Sequence, residues 1–124
     1  MIRGLCLSAI ALVALATPAF ADDGCVTPYA STVPDGAKAT TEQLKTALDE
    51  VKAFLKASDD YQNCLLLYLQ QQTAEAKASK DKKDIDPTIK ASALAKGDAN
   101  QREKERVGNE YNTAARAYKA AHPQ

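Results

Sequence analysis

Residues 41–72, TEQLKTALDEVKAFLKASDDYQNCLLLYLQQQ, decide the fold. Apolar side chains fall at Leu44, Leu48, Val51, Leu55, Leu65 and Leu69, and Phe54, Tyr61 and Tyr68 widen the same stripe. The steps between them keep to one face of a helix with a period of about 3.6 residues. No glycine or proline interrupts the run. A helix this long cannot leave such a stripe in water, so it requires a partner of similar length. Only the chain after Pro87 can supply one.

Working outward, Val33-Pro34-Asp35-Gly36 is a turn signal, and Asp35 is a candidate N-cap that would start the first helix near residue 36; Thr40 or Thr41 is the alternative if the helix begins later. After Gln72 the helix continues, thinly packed, to about residue 79, through good helix formers with few bulky side chains. Residues 80–86 form a charged turn. Asp86-Pro87 then gives the sharpest local signal in the chain, an aspartate cap followed by a proline at the first helical position, where its missing N–H costs nothing. A second helix follows over residues 87–120, its sparser stripe including Ile89, Ala93, Leu94, Val107, Tyr111, Ala114 and Tyr118. The short connection makes the pair antiparallel. A reversal centred near residue 84 sets Tyr61 against Val107, Phe54 against Ala114, and Cys64 at the level of Lys104. Gly97 and Gly108 lie on one face of this helix, and either they admit a close neighbour, with Tyr61 over Gly108, or they are tolerated weak points.

Residues 1–21 read as an export signal. Arg3 precedes an apolar run over residues 5–17, and Ala19 and Ala21 give the small-x-small pattern before a cleavage bond. The run is short for a bilayer span, and a retained anchor is the alternative. Cys6 falls inside the removed segment. Cleavage leaves one small domain, residues 22–124, with no stable membrane anchor, in the periplasm or secreted. The full chain has 16 basic and 16 acidic side chains, and losing Arg3 leaves the mature protein close to neutral. Such a balance, with both signs interleaved, gives no attraction to nucleic acid or to an anionic membrane.

Export leaves Cys25 and Cys64, which in an oxidising compartment form one disulfide. From a helix start at residue 36, Cys64 lies roughly 42 Å up the axis, whereas the extended segment from Cys25 to Gly36 covers about 36 Å. The bond therefore requires residues 22–35 to run back almost straight along the helix, as an arm stiffened by Pro28 and Pro34, with Val26, Tyr29 and Val33 as candidate contacts. Closing that loop adds on the order of 4 kcal/mol by the chain-entropy estimate. The cysteines lack CxxC spacing, so the pair reads as structural. The expected fold is thus all-α: an antiparallel two-helix hairpin whose extended N-terminal arm is disulfide-linked to the first helix.

Chemistry is hard to find. The one histidine, His122, lies in the tail, which argues against a metal centre or a histidine-assisted nucleophile. No CxxCH haem motif occurs, and Asp81, Asp84 and Asp86 lack the glycine and closing glutamate of a calcium loop. Asp60 and Glu105 could be posed as acid and base, but a thin hairpin gives them no dry pocket. No cofactor is implied. Around Cys64, however, Tyr61, Leu65, Leu66, Leu67 and Tyr68 cover most of the helix circumference, more than a two-helix hairpin buries. These five are the candidate interface, with Leu66 and Leu67 covered either by the arm or by a second subunit.

Taken together, Cys25-Val26-Thr27-Pro28, Val33-Pro34-Asp35-Gly36, Tyr61-Gln62-Asn63-Cys64-Leu65 and the run from Asn100-Gln101 through Tyr111-Asn112 to Tyr118-Lys119 resemble small uncharacterised exported proteins of alphaproteobacteria. The resemblance implies export and helices and brings no activity. The functional expectation is a non-enzymatic structural or interaction module, a homodimer or the partner of another envelope protein. The alternative is a small helical binder of an apolar ligand, completed by dimerisation.

Overall fold

The structure, a computed structural model, describes residues 22–123. The expected export signal and Cys6 lie outside them. Two helices, α1 (Thr41–Ala78) and α2 (Pro87–Ala121), make up the regular structure, with no strand among the described residues. They pack antiparallel: Thr41 Oγ1 lies 2.5 Å from the Tyr118 hydroxyl at one end, while Tyr61 and Leu65 cluster with Ala93 toward the other.

The helix starts at Thr41 rather than near residue 36 because Thr40 and Gln43 cap each other's backbone. The Gln43 N–H donates to Thr40 Oγ1 at 3.2 Å, and the Thr40 N–H donates to Gln43 Oε1 at 2.8 Å. Asp35 instead organises the turn before it. Its carboxylate accepts from the Ala37 N–H at 3.1 Å, and its carbonyl accepts from Lys38 and Ala39. The later start also eases the reach to Cys64, by about 8 Å for five helical residues.

At the far end α1 stops at Ser79, whose N–H and hydroxyl both bond to the last-turn carbonyl of Ala76. Lys82 takes a left-handed conformation, φ 45°, and its N–H closes the turn on the Ser79 carbonyl. Asp86 then caps α2 as the sequence indicates, accepting from the Thr88 N–H at 2.8 Å with Pro87 in the first position.

The register differs from that of a tight reversal near residue 84. Phe54 clusters with Val107 rather than Ala114, and Ala114 clusters with Leu44, a shift of about two to three turns. The linker explains it. The chain already reverses at the Ser79–Lys82 turn, and residues 83–86, which are neither helix nor strand, carry it back alongside the end of α1 before α2 begins.

The core has three apolar clusters with a polar layer inserted. Ala39, Leu44 and Ala114 form the first, Val51, Phe54 and Val107 the second, and Tyr61, Leu65 and Ala93 the third. Between the last two, Ser58 is fully buried and its hydroxyl accepts from Asn100 Nδ2 at 3.1 Å. The Asn100 carbonyl oxygen in turn accepts from Gln62 Nε2 at 3.0 Å, and Lys104 pairs with Asp59 beside it. The arm adds a third layer: Ala30 and Val33 pack on the second cluster and Val33 also on the first.

The base of the arm is fixed by Gly36, which is buried against the backbone of α2. A side chain there would place its Cβ 2.7 Å from Ala114 Cα and closer still to the Ala114 carbonyl, a backbone overlap that no rotamer relieves. Gly97 and Gly108, by contrast, face open space, so neither admits a close neighbour and Tyr61 does not lie over Gly108. Denaturant titration should therefore separate the glycines by sign. Gly36→Ala should lose about 3 kcal/mol or more through forced backbone displacement, whereas Gly97→Ala and Gly108→Ala should each gain up to about 1 kcal/mol of helix propensity.

Candidate interaction surface

Cys25 and Cys64 are joined as a disulfide, with their Cα atoms 5.8 Å apart and a sequence separation of 39. A second clasp lies beside it. Gly24, at φ 67°, turns the chain so that Asp23 reaches α2, where its carboxylate sits 2.5 Å from Lys96 Nζ and also accepts from the Cys25 N–H at 3.0 Å. Burial pushes the Asp23 carboxyl up, but the bonds from Lys96 and the Cys25 amide outweigh it and hold the group below the ordinary aspartate value of 3.8. The same bond to Asp23 raises Lys96 above 10.5.

The five candidate interface residues do not share one surface. Tyr61 and Leu65 are only 5% and 3% exposed, so they belong to the core and present little surface of their own. The apolar stripe simply continues through them onto Ala93. Tyr68 is half-buried against the same cluster. Leu66 and Leu67 remain more than half exposed, at 53% and 55%, and point to opposite sides of the hairpin. Leu67 borders a cleft shared with Asp23, Cys64 and Tyr68 on the arm side. The arm does not cover it, because Asp23 is drawn across to Lys96.

Leu66 faces the other side. There it forms one lip of an open groove of about 300 Å³, with Leu94 of α2, 51% exposed, as the other lip and Leu65, Leu69 and Ala93 as its floor. Gly97 leaves the α2 wall low, and Gln62, Asp98 and Gln101 supply a polar end. Leu94 as a partner to Leu66 was hidden by the register: with the reversal placed near residue 84 the two leucines do not face. Val26 and Tyr29, expected on the bundle, instead point to solvent at 85% and 90% exposure.

Other groups are committed to the fold. No buried side-chain nitrogen or oxygen among the described residues lacks a partner. A broad surface cleft of about 640 Å³ at the arm's turn is edged by Arg106, whose guanidinium is held by Glu103 and, at 2.6 Å, by Glu110. His122 stacks on Tyr118 with ring centroids 4.3 Å apart. Among the described residues no three His, Cys, Asp or Glu side chains are grouped to hold a metal ion, and no helix is long and apolar enough to cross a membrane. Comparison of the chain with protein-family models, curated proteins and solved structures finds no match.

The core and surface assignments differ sharply for adjacent leucines. Leu65→Ala should cost about 2–5 kcal/mol in denaturant titration, while Leu66→Ala should change stability by less than about 0.5 kcal/mol. The Asp23 clasp has a defined pH window. Asp23 is depressed, so its contribution is complete above 3.8 and lost as pH falls through the lower folded value; Lys96 is raised, so its contribution is complete below 10.5 and lost as pH rises through the higher folded value. With Lys96 partly solvated the pair contributes less than about 1 kcal/mol. Asp23→Asn should therefore lower stability slightly at neutral pH, and the difference from the unsubstituted protein should shrink as acid protonates Asp23 through its lowered folded value, vanishing once both carry a neutral side chain.

Proposed function

We propose that this chain is an exported, non-enzymatic interaction module of the periplasm or cell exterior, an arm-braced helical hairpin that associates through the groove between Leu66 and Leu94. The observation that carries the reading is the pair of leucines, each more than half exposed, on facing lips of one groove. Isolated surface leucines are ordinary, but two on either side of an apolar floor form a continuous patch. The patch suits a second copy of the chain. A two-fold axis through the groove would set each Leu66 against the other copy's Leu94, and the missing side chain at Gly97 allows the backbones to approach.

Export is supported by the character of residues 1–21 and by the disulfide, which persists in oxidising compartments. The non-enzymatic part rests on how the polar groups are used: Ser58 and Asn100 bond each other, Arg106 serves two glutamates, and His122 stacks on Tyr118. A second reading, favoured by the apolar floor of the same groove, is that it holds a small apolar ligand, enclosed when two copies meet.

Light scattering on residues 22–124 tests the first reading. A dimer is expected, converted to monomer by Leu66→Glu or Leu94→Glu and unaffected by Leu67→Glu. Enhanced fluorescence of a lipophilic dye, lost in the same two variants, would favour the ligand. A monomer that binds no dye would remove both.

A further inference from the structure

We propose that residues 22–35 are a redox-released strap: reduction of the Cys25–Cys64 bond frees the arm while the two helices stay folded, uncovering the seam between α1 and α2. The inference is independent of the groove on the opposite side of the hairpin.

The first support is how little else holds the arm. No main-chain hydrogen bond joins residues 26–34 to the helices; those described begin at the Asp35 carbonyl. Apart from Cys25 itself, which packs on the third cluster, the arm's anchors in the apolar clusters are Ala30 and Val33, both only partly buried, while Val26 and Tyr29 project into solvent. The Asp23–Lys96 pair has a lysine nearly half exposed, and such pairs contribute little. Against these stands the conformational entropy of an ordered, extended run of residues, which grows with every residue held. Once the covalent link is cut, ordering is no longer sustained. Gly36, packed on Ala114, then acts as the hinge from which the arm swings.

The second support is that the helices hold each other without the arm. Phe54 with Val107, Tyr61 and Leu65 with Ala93, Ser58 with Asn100, Asp59 with Lys104 and Thr41 with Tyr118 all join α1 to α2 directly. The loss of Ala30 and Val33 would expose one side of the second cluster, whose Val107 is now at 0% exposure, but would break none of these contacts.

The third support is access. Cys64 is only half-buried and lines two adjoining clefts, one with Val26, Ala57 and Asp60, the other with Asp60, Asn63, Leu67 and Gln71, so the bond is not sealed beneath the arm. The reductant is a dithiol. One of its thiolates attacks a sulfur of the Cys25–Cys64 bond, forming a mixed disulfide and releasing the other cysteine, which takes a proton. The second thiol of the reagent, losing its proton, displaces the remaining cysteine. The dithiol ends as a disulfide, and Cys25 and Cys64 end as two thiols.

The test uses residues 22–124 with dithiothreitol as the dithiol, and a Cys25→Ser, Cys64→Ser double variant as a control that needs no reductant. Backbone ¹⁵N order parameters and far-ultraviolet circular dichroism are recorded below the thermal midpoint of each form. On reduction, order parameters for residues 26–33 should fall from about 0.85 to below about 0.6. Helical signal should persist, the double variant should match the reduced protein, and reoxidation should restore the arm. Two outcomes would overturn the proposal: an arm equally ordered in both states, which makes the bond redundant, or loss of helix together with the arm, which makes it a brace of the whole fold.

Discussion

Two helices lying side by side can bury only the stripe along which they touch, and that geometric limit governs the rest of this structure. The seam has two open edges, and a chain of this size has little to cover them with. Here one edge receives an extended arm and the other receives nothing. The arm is an economical cover because an extended residue advances about twice as far as a helical one, so a dozen or so residues can run alongside a much longer stretch of α1. The same extension deprives it of main-chain partners within itself. Its position therefore depends on its ends, with Gly36 seated on the Ala114 backbone at one end and the Cys25–Cys64 bond beside the Asp23 clasp at the other.

Apolar stripes alone leave the relative sliding of two helices weakly specified, since a shift of one or two turns brings similar side chains together. The layer formed by Ser58, Asn100 and Gln62 removes that freedom. A slid register would leave the Ser58 hydroxyl or the Asn100 amide buried without a partner, at a cost of about 1–3 kcal/mol for each group. Their contribution is to the uniqueness of the pairing more than to its strength, as with a single buried asparagine in a coiled coil. Lys104 with Asp59, and Thr41 with Tyr118, confirm the same alignment at the surface.

Much of this was legible in the residues. The helical period of residues 41–72, the cap at Asp86-Pro87 and the pairing of the two cysteines each follow from a local rule that tertiary structure did not override. What the residues hid was long-range or reciprocal. Asp35 and Thr40 are both competent caps, and only the return bond from Gln43 decides between them. The register depended on the reversal falling at the Ser79–Lys82 turn, which no periodicity announces. Gly36 matters because α2 passes over it, whereas Gly97 and Gly108, more conspicuous inside a helix, leave open space where a side chain would stand. Tyr61 and Leu65 drew attention as members of an unusually apolar run, yet the run is apolar partly because it is core at those positions and partly because it is not at Leu66 and Leu67.

That last distinction sets the asymmetry of the molecule. Consecutive residues on a helix diverge by about 100°, so Leu66 and Leu67 cannot serve one surface. Leu67 falls on the edge where the arm passes, and the turn of Asp23 toward Lys96 leaves it uncovered beside Cys64. Leu66 falls on the bare edge, where Leu94 rises opposite it and Gly97 keeps the α2 wall low. Had the arm lain on that side, the groove would be filled and the seam over Phe54 and Val107 left open instead. The sulfur of Cys64, set on the opposite flank of α1 from Leu66, is what assigns the arm to one edge and leaves the leucines of the other in water.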